Sequence, residues 1–249
     1  VCSSDLTLTQ LREQVPEAEL ILLLGTDMFL SIEEWYDYRR ILQEAELAVA
    51  VRDASDAAQV RAAAEQLSAR YGAQCMMVPH EPITISSTQL RALLPMREGR
   101  AFLPETVYAR IIRGRLYAAQ PDLNWLRQQS EPYLKEKRVA HVRGCAQEAR
   151  KLALRWGEDP DLAEEAGILH DITKKLVLDE QLHLCEKYGI INDTLESASA
   201  KLLHAKTGAA LSRELYGVGD TVYNGIRWHT TGRAGMTVME KILYLADYM

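Results

Sequence analysis

The chain has 249 residues, 47% of them apolar and 26% charged, with a formal net charge of −6. That length is comfortable for two domains with separate cores, and the acidic balance argues against a general nucleic-acid coat, which needs a basic face. No apolar run approaches the ~20 residues of a membrane helix and no signal peptide opens the chain, so a cytoplasmic protein with neither membrane nor nucleic-acid partners is expected. Cys2, Cys75, Cys145 and Cys185 are scattered without ligand spacing and read as reduced thiols. Both ends read as cut: "VCSSDL" (1–6) lacks an initiator methionine, and "ILYLADYM" stops inside a helical pattern.

In chain order, "LILLL" (20–24) reads as a buried strand running into Gly25-Thr26-Asp27. A helix around 33–44, a strand "LAVAV" (47–51), a helix near 56–70 and an apolar run "CMMVP" (75–79) follow. Near-continuous apolar strands separated by helices imply a parallel sheet covered on both faces. Ligands of such sheets bind outside the carboxyl ends of the strands, which puts Gly25, Asp27, Arg52 and the segment after Val78 on the functional edge. In "ISSTQLRALL" (85–94), Ser86 and Gln89 fit a capping box. The same free N–H groups at a helix start, with Arg91 adding charge, would also suit an anion. On these residues alone both readings stand.

After about Tyr117 the rhythm changes. "AAQPDLNWLRQQ" holds a proline-centred break, and from Glu131 onward nearly every segment carries helical period. The expected organisation is an α/β domain over 7–117, a linker over 118–130 and an all-helical domain over 131–249.

The helical half holds five of the six histidines. His183 reads as an ordinary surface or core histidine. His141, the adjacent His170 and Asp171, His204, His229 and Asp247 fall on successive expected helices. Antiparallel packing can aim one ligand from each at a common centre. Imidazole and carboxylate together suit borderline-to-hard divalent ions such as iron, manganese, zinc or magnesium. Six such ligands exceed a closed structural zinc site and suit an open site with one or two ions.

The order His…His-Asp…Asp, with "LLH" and "HT" histidines between, resembles the HD-domain metal-dependent phosphohydrolases. More narrowly, "RVAHVRGCAQEARKLA", "EEAGILHDITKK", "KLLHAKTGAAL" and "IRWHTTGRAGMTVMEKILYLAD" resemble the YqeK group, which hydrolyses diadenosine tetraphosphate symmetrically to two ADP. The resemblance runs from about Arg138 to the end. It implies His141, His170, Asp171 and Asp247 as core metal ligands and His204 and His229 as those completing a second metal site. Iron is the first expectation for the ion, with manganese, cobalt, zinc or magnesium as alternatives. Asp171 and Lys174 would be catalytic; Lys174, placed by helical spacing on the same face as His170 and Asp171, would meet substrate phosphate. Thr230, Thr231, Gly232 and Arg233 follow His229 in a turn-like stretch that either approaches phosphate or nucleotide or simply ends the helix. Hydrolases of guanosine tetraphosphate carry acidic residues after the His-Asp pair; Ile-Thr-Lys-Lys here argues against that activity.

The first half resembles bacterial nicotinate-nucleotide adenylyltransferases from about Thr7 to Tyr117, through "TLTQLREQVPEAELILLLGTDMFLSIEEW" and "ISSTQLR". The resemblance implies a Rossmann-like nucleotidylyltransferase fold. Ser87, Thr88 and Arg91 would hold ATP phosphates, and Gly25, Thr26, Asp27 and Trp35 would surround nicotinate mononucleotide. The family's opening strand and GxFDPxHxGH motif are absent, and His80 is wrongly placed to replace them. A partial domain, inactive in adenylyl transfer, is therefore expected, fused to the HD domain. Two alternatives remain: a parent acting mainly as an adenylyltransferase, or an HD bundle serving as a non-catalytic metal and nucleotide sensor. Oligomeric state is open, a homo-oligomer included.

Overall fold

The structure is a computed structural model describing residues 4–51, 53–79, 81, 83 and 85–249. Arg52 and His80, singled out above, lie outside the described residues. The chain divides into two compact units, Val1–Ser86 and Ser87–Met249.

The first unit runs α1 (Ser4–Gln14), β1 (Ile21–Gly25), α2 (Thr26–Leu30), α3 (Tyr38–Glu44), β2 (Glu46–Ala50), α4 (Ala57–Tyr71) and β3 (Cys75–Val78). The strands are parallel in the order β1-β2-β3, with Leu22 opposite Leu47 and Leu47 opposite Cys75. Leu47, Ala48 and Val49 of the central strand are buried, as a strand covered on both faces requires. Against them pack Phe29, Ile32, Ile41, Leu42, Val60 and Leu67. The flanking strands depart from the expectation of a sheet covered on both faces. Ile21 and Leu23 on β1 and Met76 on β3 are exposed, because only the alternate face of each edge strand meets the core. The chain leaves α4 through Gly72 at φ +70°, a left-handed cap that a side chain would strain.

The second unit is helical: α5 (Ser87–Leu93), α6 (Glu105–Arg113), α7 (Leu123–Ser130), α8 (Glu136–Trp156), α9 (Pro160–Leu169), α10 (Leu178–Tyr188), α11 (Thr194–Ser197), α12 (Ala200–Tyr216), α13 (Asp220–Trp228) and α14 (Val238–Tyr248). Its boundary lies well upstream of the 118–130 linker expected from sequence. Leu94, Tyr108, Ile112, Trp125 and Leu126 share one buried core with Ala146, Leu169, Ile226 and Leu243 of the later helices. Trp125 stands edge-on to both Tyr108 and Tyr216, with centroids 5.0 and 6.1 Å away. The segment that looked like a linker is therefore held by aromatic burial, each ring removing a large apolar area from water. A resemblance that ends near Tyr117 and a compact unit that starts at Ser87 need not coincide, since packing decides the second.

Small residues set the spacing of the two helices that frame the later site. Ala146, Ala149 and Ala153 on α8 face Ala163 and Ala166 on α9, all fully buried. At Gly167 a Cβ would lie 2.5 Å from the Ala146 Cα, so only glycine lets the backbones approach this closely. α9 starts at an Asp159 cap that accepts from the Asp161 and Leu162 N–H groups at 2.8 and 3.1 Å, with Pro160 in the first turn.

Candidate metal centre

His170 and Asp171 do not sit within a helix, as the sequence pattern suggested. His170 is the C-cap of α9, and residues 171–175 continue as tight turns closed by Ile172 N–H to Leu169 O (3.2 Å) and Lys174 N–H to Asp171 O (2.9 Å). The turn is pinned from below by Thr173, whose fully buried hydroxyl donates to His204 O at 2.9 Å and meets Thr207, itself bonded to Gln181. His229 likewise closes α13 as its C-cap, whereas His141, His204 and Asp247 project from within α8, α12 and α14. Helix ends and helix interiors thus deliver the six side chains to one place.

The geometry of that place is compact. His141 Nε2 meets Asp247 Oδ1 at 2.8 Å, and His170 Nε2 lies 3.3 Å from Asp247 Oδ1 and 3.4 Å from Asp171 Oδ2. Asp171 Oδ1 lies 3.3 Å from His204 Nε2 and 4.0 Å from His229 Nε2. Two of the three groups of potential ligands among the described residues share one carboxylate: His141, His170 and Asp171 on one side, and Asp171, His204 and His229 on the other. Asp171 belongs to both, which is the position of a carboxylate able to bridge two ions.

One backbone device repeats at three of the histidines. Nδ1 of His170, His204 and His229 donates to the carbonyl three residues back, Gly167 O, Lys201 O and Ile226 O, at 2.8, 2.7 and 2.6 Å. A proton held at Nδ1 leaves Nε2 with its lone pair, and in each case Nε2 is the atom turned toward the cluster. His204 Nε2 and His229 Nε2 approach to 3.1 Å, a close meeting of lone pairs that the Lys174 ammonium relieves on the His204 side only. His170 Nε2 and Asp171 Oδ1 are fully buried with no hydrogen-bond partner. Buried polar atoms are costly to leave unsatisfied. Converging lone pairs, a shared carboxylate and orphaned buried donor atoms fit a divalent ion.

Charge within the cluster separates three of the histidines from the fourth. Burial lowers the pKa of His141 and His204 and pushes His229 down to about 3, which keeps these rings neutral and able to ligate. Burial opposes the ionisation of Asp171, yet His170, His204 and Arg138 outweigh it and hold the carboxyl well below the usual range. Asp247 is lowered for a related reason, its burial overcome mainly by His170. His170 departs from the other three: burial disfavours its charge, but Cys145, Asp171 and Asp247 beside it prevail and raise its pKa.

Residues around the cluster divide into those turned toward it and those committed elsewhere. Lys174 Nζ lies 2.8 Å from His204 Nε2 and 3.6 Å from Asp171 Oδ1, so it borders the centre even without the helical face expected of it. Thr230 Oγ1 stands 3.3 and 3.1 Å from His204 and His229 Nε2. Thr231 Oγ1 donates to its neighbour Gly232 O, and Gly232 turns the chain at φ +62°. The Arg233 guanidinium is engaged by Glu240, with contacts of 2.8–3.2 Å, and Glu240 also caps α14.

Sequence reasoning missed two neighbours. Arg138 donates to Asp171 Oδ2, and Cys145 forms a close group with His170 and Asp247. Their positions three before and four after His141 place both on its helix face, a signal that spacing offered.

In the first unit, Gly25, Thr26 and Asp27 lie where β1 runs into α2, at the carboxyl edge of the sheet. Thr26 is buried, Gly25 and Asp27 are exposed, and Trp35 is half-buried. Ser87, Thr88 and Arg91 are exposed on α5, which belongs to the second unit, and the Arg91 guanidinium stacks 4.8 Å over Tyr117.

Comparison with known proteins adds the family. Residues 138–249 match the HD domain. The chain is 40% identical over 120 residues to a symmetrical bis(5'-nucleosyl)-tetraphosphatase of Halalkalibacterium halodurans, which covers 48% of this chain and 64% of that protein. It is 38% identical over 117 residues to the protein of the same name from Staphylococcus aureus, covering 47% of this chain and 60% of the other. The chain therefore spans under two thirds of the length of these relatives. A Mycoplasma pneumoniae protein named probable nicotinate-nucleotide adenylyltransferase/Ap4A hydrolase is 25% identical across 97% of this chain and 63% of its own length. A solved structure from Clostridium acetobutylicum, described as a predicted HD superfamily hydrolase involved in NAD metabolism, has 34% identity and a TM-score of 0.48 over 50% of this chain and 67% of the other. From residue 138 to residue 249 the chain is an HD domain, homologous to the symmetrical bis(5'-nucleosyl)-tetraphosphatases and to the adenylyltransferase/Ap4A hydrolase fusions.

Proposed function

We propose that the HD domain hydrolyses diadenosine tetraphosphate symmetrically to two ADP, with one or two divalent ions held by His141, His170, Asp171, His204, His229 and Asp247. The observation that carries the reading is the shared orientation of three imidazoles. Each is tied at Nδ1 to the carbonyl three residues behind it, and all turn Nε2 toward Asp171. A bound divalent ion would lower the pKa of water toward neutrality and offset the charge on phosphate oxygens. The chain's own part is positional. Lys174 sets an ammonium at the rim to meet phosphate, and Arg138 keeps one Asp171 oxygen oriented while the other faces the second ligand group. Thr230 sets a hydroxyl between two ligand histidines, within reach of a phosphate oxygen.

Iron is the ion put forward first, and the protein's location as cytoplasmic. Among the described residues no helix is long and apolar enough to cross a membrane. The test is incubation of the full chain, loaded in turn with iron, manganese, cobalt or magnesium, with diadenosine tetraphosphate. Two ADP per substrate are expected; ATP plus AMP, or no turnover by any metal-loaded form, would overturn the reading.

A second reading concerns the first unit, because the likeness to the Mycoplasma pneumoniae fusion extends over 97% of the chain. On this reading Gly25, Thr26, Asp27 and Trp35 descend from residues that surround nicotinate mononucleotide, and Ser87, Thr88 and Arg91 from residues that hold ATP phosphates. Without the GxFDPxHxGH histidines, the chain is expected to form no deamido-NAD from these substrates.

A further inference from the structure

Beside the metal ligands lies a cavity of about 360 Å³ whose wall is strongly cationic. Lys135, Lys137, Arg138, Lys174, Lys175 and Lys201 line it, against a single carboxylate, Asp171. This concentration of positive charge occurs in a chain whose net charge is −6, so it is a local construction rather than a reflection of composition. Two of the six are occupied at the metal centre: Arg138 with Asp171, and Lys174 with His204 and Asp171. Lys175 is steadied by donation to Pro132 O and lies 5.9 Å over the Tyr133 ring. Lys135, Lys137 and Lys201 are exposed, and none of them forms an ion pair among the described residues.

The backbone adds to the same field. Lys135 is the N-cap residue of α8 and Ser199 that of α12, and neither start is capped by a side-chain hydrogen bond. Both helices are long enough, at 21 and 17 residues, for their N-terminal N–H groups to favour an anion. Residues from both starts line the cavity. Like charges gathered within about a Debye length of one another repel, which disfavours the arrangement unless an anion compensates. The metal-side pair, Arg138 and Lys174, already meets Asp171 and His204. Four further lysines leading away from the ligands match an anion whose charge continues beyond the phosphate at the metal.

We infer that Lys135, Lys137, Lys175 and Lys201 form a subsite for the distal part of a linear polyphosphate, and that they select chains of three or more linked phosphates over a single phosphate. The inference deepens the hydrolase reading but rests on it only for the identity of the nucleosides at the ends of the phosphate chain. It can be tested by binding, without turnover.

The probes are inorganic tripolyphosphate and orthophosphate, titrated calorimetrically into the full, manganese-loaded chain. Two double variants report independently: Lys137→Ala with Lys201→Ala, and Lys135→Ala with Lys175→Ala. Substitution at Lys201 leaves its carbonyl, which holds His204, in place. Manganese content equal to that of the parent establishes that each variant is folded. At about 0.5–1 kcal/mol per exposed ionic contact, each pair should weaken tripolyphosphate binding about tenfold. Orthophosphate binding should change by less than about threefold, being confined to the metal side. Raised salt should narrow the difference between parent and variants. Unchanged tripolyphosphate affinity in both variants would overturn the subsite, as would equal losses for the two probes. Lysine-dependent tripolyphosphate binding by a chain that releases no ADP would support the subsite and overturn the hydrolase reading alone.

Discussion

The two places where this chain gathers polar residues are built on opposite terms. At the β1–α2 corner of the first unit, Gly25 and Asp27 are exposed, and water can satisfy whatever a ligand does not. At the HD centre, His170, Asp171, His204 and His229 are essentially withdrawn from water and must be satisfied by the fold or by an ion. An exposed polar residue costs little and so carries little information. A buried cluster of imidazoles and carboxylates is expensive unless compensated, and a divalent ion would supply that compensation.

The largest expected break in this contrast is Asp171→Ala. Asp171 belongs to both ligand groups, so its loss should remove bound metal and hydrolysis together. The loss of rate is expected to be roughly a thousandfold or more, since several kcal/mol of transition-state stabilisation are at stake. Metal content per chain and ADP release measure the two effects. Asp27→Ala, the corresponding change at the exposed corner, should alter neither. Retained metal at parental stoichiometry in Asp171→Ala would remove Asp171 from the ligand set.

Next in size is a buried pair that holds the 87–130 segment to the HD helices. Arg97 donates to Glu165 at 2.7 Å and to Pro121 O at 2.8 Å, with both charged groups largely buried. Burial raises the Glu165 pKa, and the Arg97 charge only partly offsets it. Arg97→Met keeps apolar volume but strands the carboxylate, which should cost about 3–5 kcal/mol near neutral pH. The folded pKa is already above the unfolded value and would rise further. The unfolded state therefore binds fewer protons, and the penalty should shrink as pH falls toward the carboxylate range of about 4. Urea unfolding at neutral and mildly acidic pH checks both size and sign; a pH-independent loss would mean that Glu165 finds another partner.

Legibility in the sequence followed the same division. The alternation of apolar strands and helices predicted β1, β2, β3 and α4 to within a residue or two, because buried parallel strands and amphipathic helices leave strong periodic signals. The six metal-site candidates were legible as residue types too polar for their surroundings, and they fall within one cluster. Periodicity could not reveal that His170 and His229 end helices, since a C-cap keeps helical spacing while the chain leaves the helix. It also could not assign residues 87–130 to the helical unit, because Tyr108 and Trp125 find their partners through tertiary burial. Arg233 looked available for phosphate because periodicity does not show that Glu240, seven residues later, turns back to engage it.

A smaller effect separates packing from chemistry at the centre's edge. Gly167→Ala would place a Cβ 2.5 Å from the Ala146 Cα, forcing α8 and α9 apart. Overpacking of this kind is expected to cost about 1–3 kcal/mol. His141 rides on α8 and His170 on the end of α9, so metal affinity should fall along with stability. A variant with the expected loss of stability but unchanged manganese affinity would show that the ligands tolerate helix separation.

The smallest expected effect lies at the opposite end of α9. Asp159→Ala removes a cap accepting two N–H groups and should cost about 1 kcal/mol, read from the urea midpoint. The cap is ten residues from the last residue of the helix, and the His170–Asp171 turn is independently held by Thr173 and the Gly167 carbonyl. Stability should therefore fall without loss of metal affinity, the reverse of the coupling expected at Gly167. If capping and metal binding fall together, α9 transmits strain along its length, and the centre depends on the whole helix rather than on its last turn.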